Sequence, residues 1–328
     1  MTARFDLIGI GNAIVDVVAR TEEDFLTRHA MRKGAMTLID AATAERLYYA
    51  MPPGEESSGG SNANTCAVAA ALGARVAYLG KVADDPLGDV FRREITLAGV
   101  HFPSAALAGG APTGRCLILV TPDGQRTMNT FLGAAVAFED ADVDTALVAD
   151  STVLYLEGYL FDPPAAQAAF RRAAAAAHEA GRKVALSLSD PFCVDRHRTA
   201  FRALVRGGVD ILFANEAEVT SLYEVNSFAE AVEAARAEVE LAALTRSELG
   251  SVVARGGETV EIAAEPARVV DTTGAGDAYA AGFLAGLAAH RDLADCGRLG
   301  AIAAAEVIGH YGARPGPNLR SMVAAAGL

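Results

Sequence analysis

The chain has 328 residues, 52% of them hydrophobic, and a formal net charge of −13 at pH 7. This length allows one large α/β domain with a small appendage, or two domains. An acidic surface repels the phosphates of nucleic acids, so the charge argues against a nucleic-acid partner. An anionic small molecule would have to be held locally, by backbone N–H groups and a bound cation.

The cysteines and the first residues bear on the compartment. The four cysteines are far apart and show no CxxC spacing, which favours reduced, buried thiols over a disulfide scaffold or a zinc site. They are Cys66, Cys116, Cys193 and Cys296. Residues 1–6 include no apolar targeting segment, and no apolar run is long enough to cross a membrane. We therefore expect a cytoplasmic protein with no membrane partner.

In the first 135 residues, short apolar runs and turn signals predict strands and two helices. Strands are expected at residues 5–10, 14–19, 35–39, 76–79, 114–120 and 126–132, and helices at residues 64–72 and 86–98. The last two strands flank an Asp-Gly turn, which is typical of a hairpin. Because the early β-rich pieces are discontinuous, we expect a small β-sheet lid built from segments roughly 12–40 and 111–135.

From residue 153 onward, strand-like runs alternate with helical stretches. Strands are predicted at residues 153–156, 184–187, 211–214 and 251–254, and helices at 165–180, 198–206, 227–240, 276–290 and 295–309. This alternation indicates βαβ units and a mainly parallel, doubly wound sheet with helices on both faces. We find no linker, so the prediction is a single α/β domain spanning residues 1–328.

The most specific motif is the string DTTGAGD at residues 271–277, which runs into a small-residue helix. Gly274 and Gly276 allow positive φ and close approach of a ligand to the backbone. The N–H groups at the helix start would face one point and attract a phosphoryl group. The carboxylate of Asp277 beside them could accept a hydroxyl proton. The competing interpretation is an aspartate that caps a helix after a glycine turn.

Two signatures resemble those of the ribokinase-like (PfkB) carbohydrate kinases. The DTTGAGD string is similar to the C-terminal signature, and GGSNAN at residues 59–64 with GKVADDPLG at 80–88 is similar to the N-terminal one. The resemblance implies a kinase that moves the γ-phosphate of ATP to a hydroxyl of a sugar or nucleoside. Asp277 would be the catalytic base, and the amides of Gly274, Ala275 and Gly276 would bind the transferring phosphoryl group.

Polar and glycine residues after the first strand and at a helix start are candidates for substrate binding. Asn12 and Asp16 carry groups suited to vicinal hydroxyls, while Gly59 and Gly60 precede Asn64 at a helix start. Turn chemistry alone would explain any one of them. The family resemblance implies that all five hold the sugar and that the diglycine is a hinge for closure of the lid.

Two further segments are candidates for the nucleotide and its cation. Asn215 and Glu218 match the family's NxxE motif, which implies contact with Mg²⁺ and phosphates, largely through water. The alternative is a capping asparagine with a glutamate three residues later. Asp271 is a candidate contact for a monovalent cation such as K⁺, as in some relatives.

The loop after the helix predicted at 227–240 also has a match in the family, where it contacts ATP. Thr245, Ser247 and Gly250 are the candidate residues, and an ordinary polar loop is the alternative. Asn12 to Asp16, together with residues 126–135, looks more similar to the adenosine-kinase branch than to ribokinases.

The small-molecule substrate is therefore expected to be a nucleoside or a sugar, with adenosine favoured. A ribokinase- or fructokinase-type sugar kinase remains the alternative, and a non-catalytic sugar or nucleotide sensor on the same fold is a remote one. An intact Asp277 argues against the sensor, because a sensor needs no base there. The oligomeric state expected from the sequence is a monomer or a homodimer.

Overall fold

A computed structural model describes residues 3–328, and two β-sheets organise it. The strands are β1 Phe5–Ile10, β2 Ile14–Arg20, β3 Met36–Leu38, β4 Glu55–Gly59, β5 Val76–Leu79, β6 Val100–His101, β7 Thr113–Val120, β8 Arg126–Gly133, β9 Ser151–Glu157, β10 Lys183–Ser187, β11 Ile211–Asn215, β12 Leu241–Thr245, β13 Ser251–Arg255 and β14 Glu258–Ile262. The helices are α1 Glu23–Arg28, α2 Ala41–Ala50, α3 Ser61–Ala71, α4 Pro86–Leu97, α5 Thr145–Ala149, α6 Pro164–Glu179, α7 Pro191–Gly208, α8 Glu216–Tyr223, α9 Phe228–Glu238, α10 Ala275–Ala288, α11 Leu293–Val307 and α12 Leu319–Ala325.

The main sheet has nine strands in the order β14-β13-β12-β11-β10-β9-β1-β5-β6. All pairs from β6 to β12 are parallel, and β13 and β14 add antiparallel pairs at one edge. The chain starts in the middle of the sheet and winds outward in both directions. The predicted doubly wound α/β fold is confirmed.

Alternating side chains of the central strands enter different cores because a parallel sheet with helices on both faces is buried on both sides. Leu7 and Tyr155 belong to the core shared with α3, α10 and α11. Ile8 and Leu154 belong to the opposite core, which α6, α7, α8 and α9 cover. All four cysteines are free and buried, as predicted.

The second sheet has five strands in the order β3-β8-β7-β2-β4. Its outer face is covered by α1 and α2, where Phe25 and Leu47 pack in the same core as Val17 and Leu119. Its fifth strand, β4, lies outside the two segments that were expected to build this sheet. The sequence EESSG of β4 is polar and shows no apolar alternation, so no pattern marked it as a strand.

Several elements of the structure were not predicted, notably α1, α2, β12 and β14. The strand β12 has the sequence LAALT and is buried on both faces, so it lacks the alternation that marks a half-exposed strand. Its alanines also resemble a continuation of the preceding helix. Within residues 3–328, no helix is both long enough and apolar enough to cross a membrane.

Helix α10 packs tightly against α11 because small residues allow the two backbones to approach each other. A Cβ atom added at Gly282 would lie 2.6 Å from the carbonyl carbon of Leu299. Backbone atoms cannot yield to this contact as a flexible side chain would. The glycine therefore sets the position of α10, whose first turn carries Asp277.

We expect Gly282→Ala to destabilise the protein by about 1–3 kcal/mol, the usual cost of overpacking. The matched control is Gly207→Ala in α7, where an added Cβ meets nothing within 4 Å. That substitution should be neutral or stabilising by up to about 1 kcal/mol, because alanine favours helix more than glycine does. Urea unfolding of both variants measures the difference, and equal midpoints would contradict this account of the packing.

Candidate active site

The polar candidates meet at the carboxyl edge of the main sheet, where ligands bind in open α/β sheets. Asn12 follows β1, Glu157 ends β9 and Asn215 ends β11. The first turns of α3 and α10 reach the same edge, since Ser61 Oγ donates to Asp277 Oδ1 at 2.6 Å. The structure thus joins residues that are more than 200 positions apart in the sequence.

Asp277 is the third residue of α10 and is half-buried between that helix and α3. Its second oxygen accepts from Asn64 Nδ2 at 3.4 Å. Burial raises the pKa of Asp277 to about 6, although the hydrogen bonds from Ser61 and Asn64 and the charge of Arg314 act in the opposite direction. A carboxylate with this pKa is ionised at neutral pH and is basic enough to take a hydroxyl proton during reaction.

The turn before α10 presents free amides next to Asp277. Gly274 caps the helix in the left-handed conformation, with φ of 79°. The amide of Ala275 donates to Thr272 O at 3.3 Å, whereas those of Gly274 and Gly276 find no acceptor in residues 3–328. Gly276 is exposed, and a Cβ added there would meet nothing within 4 Å, so a ligand can approach this turn. The arrangement provides an anion site at a helix N-terminus.

Asp16 projects from β2 of the small sheet and is the second carboxylate of the site. Its charge interacts with that of Asp277 on α10, and we call the space between these two residues the cleft. Asp16 accepts no hydrogen bond from any described residue, although burial raises its pKa to about 6. The charges of Arg314 and Arg126 lower that pKa, and the charge of Asp277 raises it. A Cβ at Gly59 would overlap the carboxylate of Asp16, so β4 can lie beside it only with glycine there. Asp16 is therefore placed to accept hydrogen bonds from a ligand.

Asn12 is 3% exposed and is held by a residue that the sequence did not single out, Glu157. The backbone and side-chain nitrogens of Asn12 donate to Glu157 Oε1 at 3.3 and 2.9 Å. Asn62 N donates to the other oxygen, Oε2, at 2.8 Å. The side-chain oxygen of Asn12 is buried and has no partner among the described residues. A charged residue at the end of a predicted strand was the available signal for Glu157.

Arg314, also missed from the sequence, connects both sides of the diglycine segment Gly59–Gly60. Its Nε donates to Ser58 O at 3.0 Å and its Nη1 to Ala63 O at 2.9 Å. Its Nη2 donates to Ser58 Oγ at 2.8 Å. The guanidinium therefore holds the residues on either side of the two glycines, while its charge lowers the pKa values of nearby carboxyl groups. Arg314 lies in a loop near the C-terminus, and no local sequence pattern there predicts contacts with residues 58–63.

Asp271 is buried and engaged by protein groups on both oxygens. Arg126 Nη1 lies 2.5 Å from Asp271 Oδ2, which also accepts from Gly312 N at 3.0 Å. The amide and hydroxyl of Thr273 donate to Oδ1 at 3.1 and 2.8 Å. The Nε and Nη2 atoms of Arg126 are buried without a partner among the described residues. Arg126 thus joins the small sheet to the glycine turn through Nη1, while its Nε and Nη2 atoms have no acceptor among the described residues.

Asn215 and Glu218 cap the start of α8 reciprocally. Glu218 N donates to Asn215 Oδ1, and Asn215 N donates to Glu218 Oε2, both at 2.9 Å. This is the helix-start arrangement that the spacing also predicted. Burial raises the pKa of Glu218 to about 7. In residues 3–328 no group of three or more His, Cys, Asp or Glu side chains could hold a metal ion.

The three loop candidates lie next to this capping pair. Thr245 ends β12 and is registered directly opposite Asn215 on β11. Ser247 is exposed and has φ of 51°. Gly250 has φ of 84°, and an added Cβ there would lie 2.9 Å from Ala264 N, so the turn itself requires glycine. Of the three candidates, Thr245 and Ser247 are therefore the ones whose side chains could contact a ligand.

Comparison with known proteins identifies the family of the chain. The sequence profile described as pfkB family carbohydrate kinase matches residues 35–319. Adenosine kinase 2 of Arabidopsis thaliana is 25% identical and is aligned over 93% of this chain and 94% of its own length. Adenosine kinase of Saccharomyces cerevisiae is 28% identical over 88% of this chain and 90% of its own.

Two solved bacterial structures are more similar. A probable sugar kinase from Rhizobium etli CFN 42 shares 48% identity and a TM-score of 0.92, with 99% of each chain covered. An adenosine kinase from Sinorhizobium meliloti shares 51% identity and a TM-score of 0.90, covering 99% of this chain and 100% of that one. Together with the DTTGAGD turn and its aspartate, these matches show that the chain belongs to the pfkB family and is an ATP-dependent kinase of a sugar or nucleoside.

Proposed function

We propose that the acceptor is the ribose of adenosine, with Asp277 as the catalytic base. The observation that carries the choice of a nucleoside is a row of residues across the small sheet. Asp16 on β2 is registered opposite Cys116 on β7, Cys116 opposite Thr130 on β8, and Thr130 opposite Leu38 on β3. Directly opposite residues share one face of a sheet, so this row extends away from Asp16 along the cleft face.

The far end of the row opens into an apolar groove of about 290 Å³. It is lined by Leu38, Ile39, Ala111, Thr130, Phe131, Leu132, Gly133 and Val136. A ligand whose hydroxyls meet Asp16 would therefore need a flat apolar part to cover this groove. A nucleoside has both parts, whereas a free pentose would leave the groove in contact with water. The names of the adenosine kinases among the relatives support the same choice.

The mechanism follows from the positions of the chain's own groups. Asp277 accepts the proton of the ribose hydroxyl as that oxygen attacks the γ-phosphorus of ATP, the bond from this phosphorus to the bridging oxygen breaks, and ADP leaves. The amides of Gly274 and Gly276 and the free donors of Arg126 stabilise the negative charge on the phosphoryl group. Mg²⁺ held through water by Asn215 and Glu218 would supply further charge neutralisation on the ATP oxygens.

The proposal also covers a monovalent cation, the contacts to ATP and the location of the protein. A K⁺ ion at Asp271 would have to share that carboxylate with Arg126, which already supplies a cation there. Thr245 and Ser247 remain the proposed contacts to ATP. A free-sugar kinase is the second candidate, because Asp16 suits any furanose with adjacent hydroxyls and one relative is named a probable sugar kinase. The use of ATP supports the expected cytoplasmic location.

A substrate panel tests the proposal. The parent and Asp16→Ala are assayed with Mg-ATP and adenosine, 2′-deoxyadenosine, ribose or fructose, and ADP release is measured. We expect the highest kcat/KM with adenosine. Removing a hydroxyl leaves the carboxylate of Asp16 unpaired, and removing Asp16 leaves the hydroxyl unpaired, so each change should lower kcat/KM by at least about tenfold. If a free sugar is turned over efficiently and adenosine is not, the acceptor substrate is a sugar and the choice of adenosine is wrong.

Asp277→Asn should lower the turnover of the enzyme without lowering the stability of the fold. We expect kcat to fall by roughly 10²–10⁴, the usual worth of a general base. In the parent, the pKa of about 6 predicts that kcat/KM falls as the pH decreases through 6, since the protonated carboxyl cannot accept a proton.

The same variant should be more stable than the parent at neutral pH. A carboxyl whose folded-state pKa is raised stabilises the fold only while protonated, and this contribution is lost as the pH rises through about 6. Without ligand, Asp277→Asn should therefore melt about 2–4 °C higher than the parent at pH 7.5. The difference should shrink as the pH falls and vanish only below about 4, where the aspartate of the unfolded chain is protonated as well. Near-parent turnover, or a melting temperature equal to that of the parent at pH 7.5, would contradict the assignment.

Glu218→Gln tests the metal role against simple helix capping. If Glu218 organises Mg²⁺ through water, the variant should need several-fold more Mg²⁺ for half-maximal activity. Ser227 and Glu230 form the same reciprocal cap at the start of α9, so Glu230→Gln is the matched control. Stability is not the readout here, because Glu218→Gln also removes a buried charge whose pKa is raised, and that gain offsets part of the lost capping. Only Glu218→Gln should change the Mg²⁺ requirement. An identical Mg²⁺ response in the two variants would reduce Glu218 to a capping residue.

A further inference from the structure

Glu157 is a buried carboxylate that the proposed mechanism does not use. It is 1% exposed and ends β9, at the point where β1 and α3 also reach the cleft. All the hydrogen bonds recorded to its two oxygens come from Asn12 and Asn62, at distances between 2.8 and 3.3 Å. A Cβ at Gly11 would overlap its Oε2, so the neighbouring loop lacks a side chain where the carboxylate lies.

These hydrogen bonds fix the orientation of the Asn12 side chain. A side-chain amide can rotate by half a turn and exchange its donor and acceptor ends. A carboxylate accepts hydrogen bonds and donates none, so Glu157 Oε1 holds the Nδ2 end of the amide at 2.9 Å. The Oδ1 end then points away from Glu157, buried and without a partner among the described residues. An unpartnered buried acceptor needs a donor, and a ligand hydroxyl that displaces water from this position would supply one.

We propose that Glu157 is a positioning residue that turns Asn12 into an acceptor, so that Asn12 and Asp16 together select a substrate with two hydroxyl donors. This inference rests on the proposed function, because it concerns the acceptor substrate of that same site. Glu157 does not touch the substrate in this account. It acts through Asn12, and its ionised form is the one that can accept from Asn12 and Asn62 simultaneously.

The charged groups around Glu157 are compatible with this role. Burial raises the pKa of Glu157 to about 7, the hydrogen bonds from Asn62 and Asn12 lower it, and the charge of Asp277 on α10 raises it. Two titratable groups from other elements are also close: the charge of Glu157 raises the pKa of Tyr78 on β5 and of Cys66 on α3. The hydrogen bonds from the two asparagines are thus what favours the ionised form in a buried position.

The test begins with Glu157→Gln, which retains size but places an amide NH₂ opposite one of the donors. If that NH₂ faces Asn12, the Asn12 amide rotates and presents its own NH₂ to the substrate. We expect the selectivity of kcat/KM for adenosine over one of the two analogues, 2′- or 3′-deoxyadenosine, to fall about tenfold. Selectivity over the other analogue, which Asp16→Ala should remove, is expected to persist.

A second substitution should restore the acceptor. In the double variant Asn12→Asp with Glu157→Gln, the new carboxylate at position 12 can accept from the new amide at position 157 with one oxygen and from the substrate with the other. We expect the lost selectivity to return, a result that a merely structural role for Glu157 would not produce. The control is Glu238→Gln, which removes a charge paired with Arg202 and Arg206 outside the site and should leave selectivity unchanged.

Two outcomes would overturn the proposal: Glu157→Gln loses both selectivities equally, or Asn12→Asp fails to restore the lost one. If Glu157→Gln keeps both selectivities, its NH₂ faces Asn62 and Asn12 is still held by an oxygen. In that case, or if Glu157→Gln does not fold as judged by circular dichroism, Asn12→Asp alone is measured. Its activity relative to the parent should then rise as the pH falls towards 6, because a proton relieves the repulsion between two carboxylates. A flat ratio would overturn the proposal as well.

Failure of the proposed function would look different. In that case the parent itself would turn over no nucleoside, and the selectivity test would be repeated with deoxy forms of whichever sugar the parent phosphorylates. The role of Glu157 is scored only on a substrate that the parent uses. A wrong choice of adenosine and a wrong role for Glu157 are therefore separable results.

Discussion

Four carboxylates crowd the carboxyl edge of the main sheet, and their mutual repulsion and burial constrain the rest of the site. Burial raises the pKa values of Asp16 and Asp277 to about 6 and those of Glu157 and Glu218 to about 7. At neutral pH Asp16 and Asp277 are largely ionised and Glu157 and Glu218 about half ionised, and each ionised carboxylate costs folding free energy. Packing elsewhere must offset that cost, and the two buried cores on either side of the sheet are the source.

The four carboxylates differ in how far the protein itself satisfies them. Hydrogen bonds from α3 orient Asp277, while Glu157 and Glu218 are satisfied by asparagine and backbone donors. Asp16 has no protein partner among the described residues, so its oxygens are available to donors from outside the protein. A hydroxyl-bearing ligand therefore does more than fill space: it supplies hydrogen bonds that this side chain lacks within the protein.

The sequence predicted the sheet, most helices and the glycine turn because those features depend on local patterns. Asn12 and Asp16 were identified by family motifs, and the structure places both in the cleft. Glu157 had only a weak local signal, the end of a strand. Arg126 and Arg314 act on partners more than 140 positions away, so their roles depend on tertiary contacts that no local pattern contains. The strands β4 and β12 were missed because one is polar and the other alanine-rich.

The small sheet and the main sheet are joined at the point where chemistry would occur. Arg126, on β8, pairs with Asp271 beside the glycine turn, and Arg314 holds both sides of Gly59–Gly60. Movement of the small sheet about those glycines would therefore also move Arg126 relative to the phosphoryl site. A polyol that engages Asp16 would favour the position in which Arg126 is in place. Substrate binding and stabilisation of the phosphoryl group would then be coupled. Without an acceptor substrate the enzyme would hydrolyse ATP slowly, because the guanidinium of Arg126 is not held at the phosphoryl group.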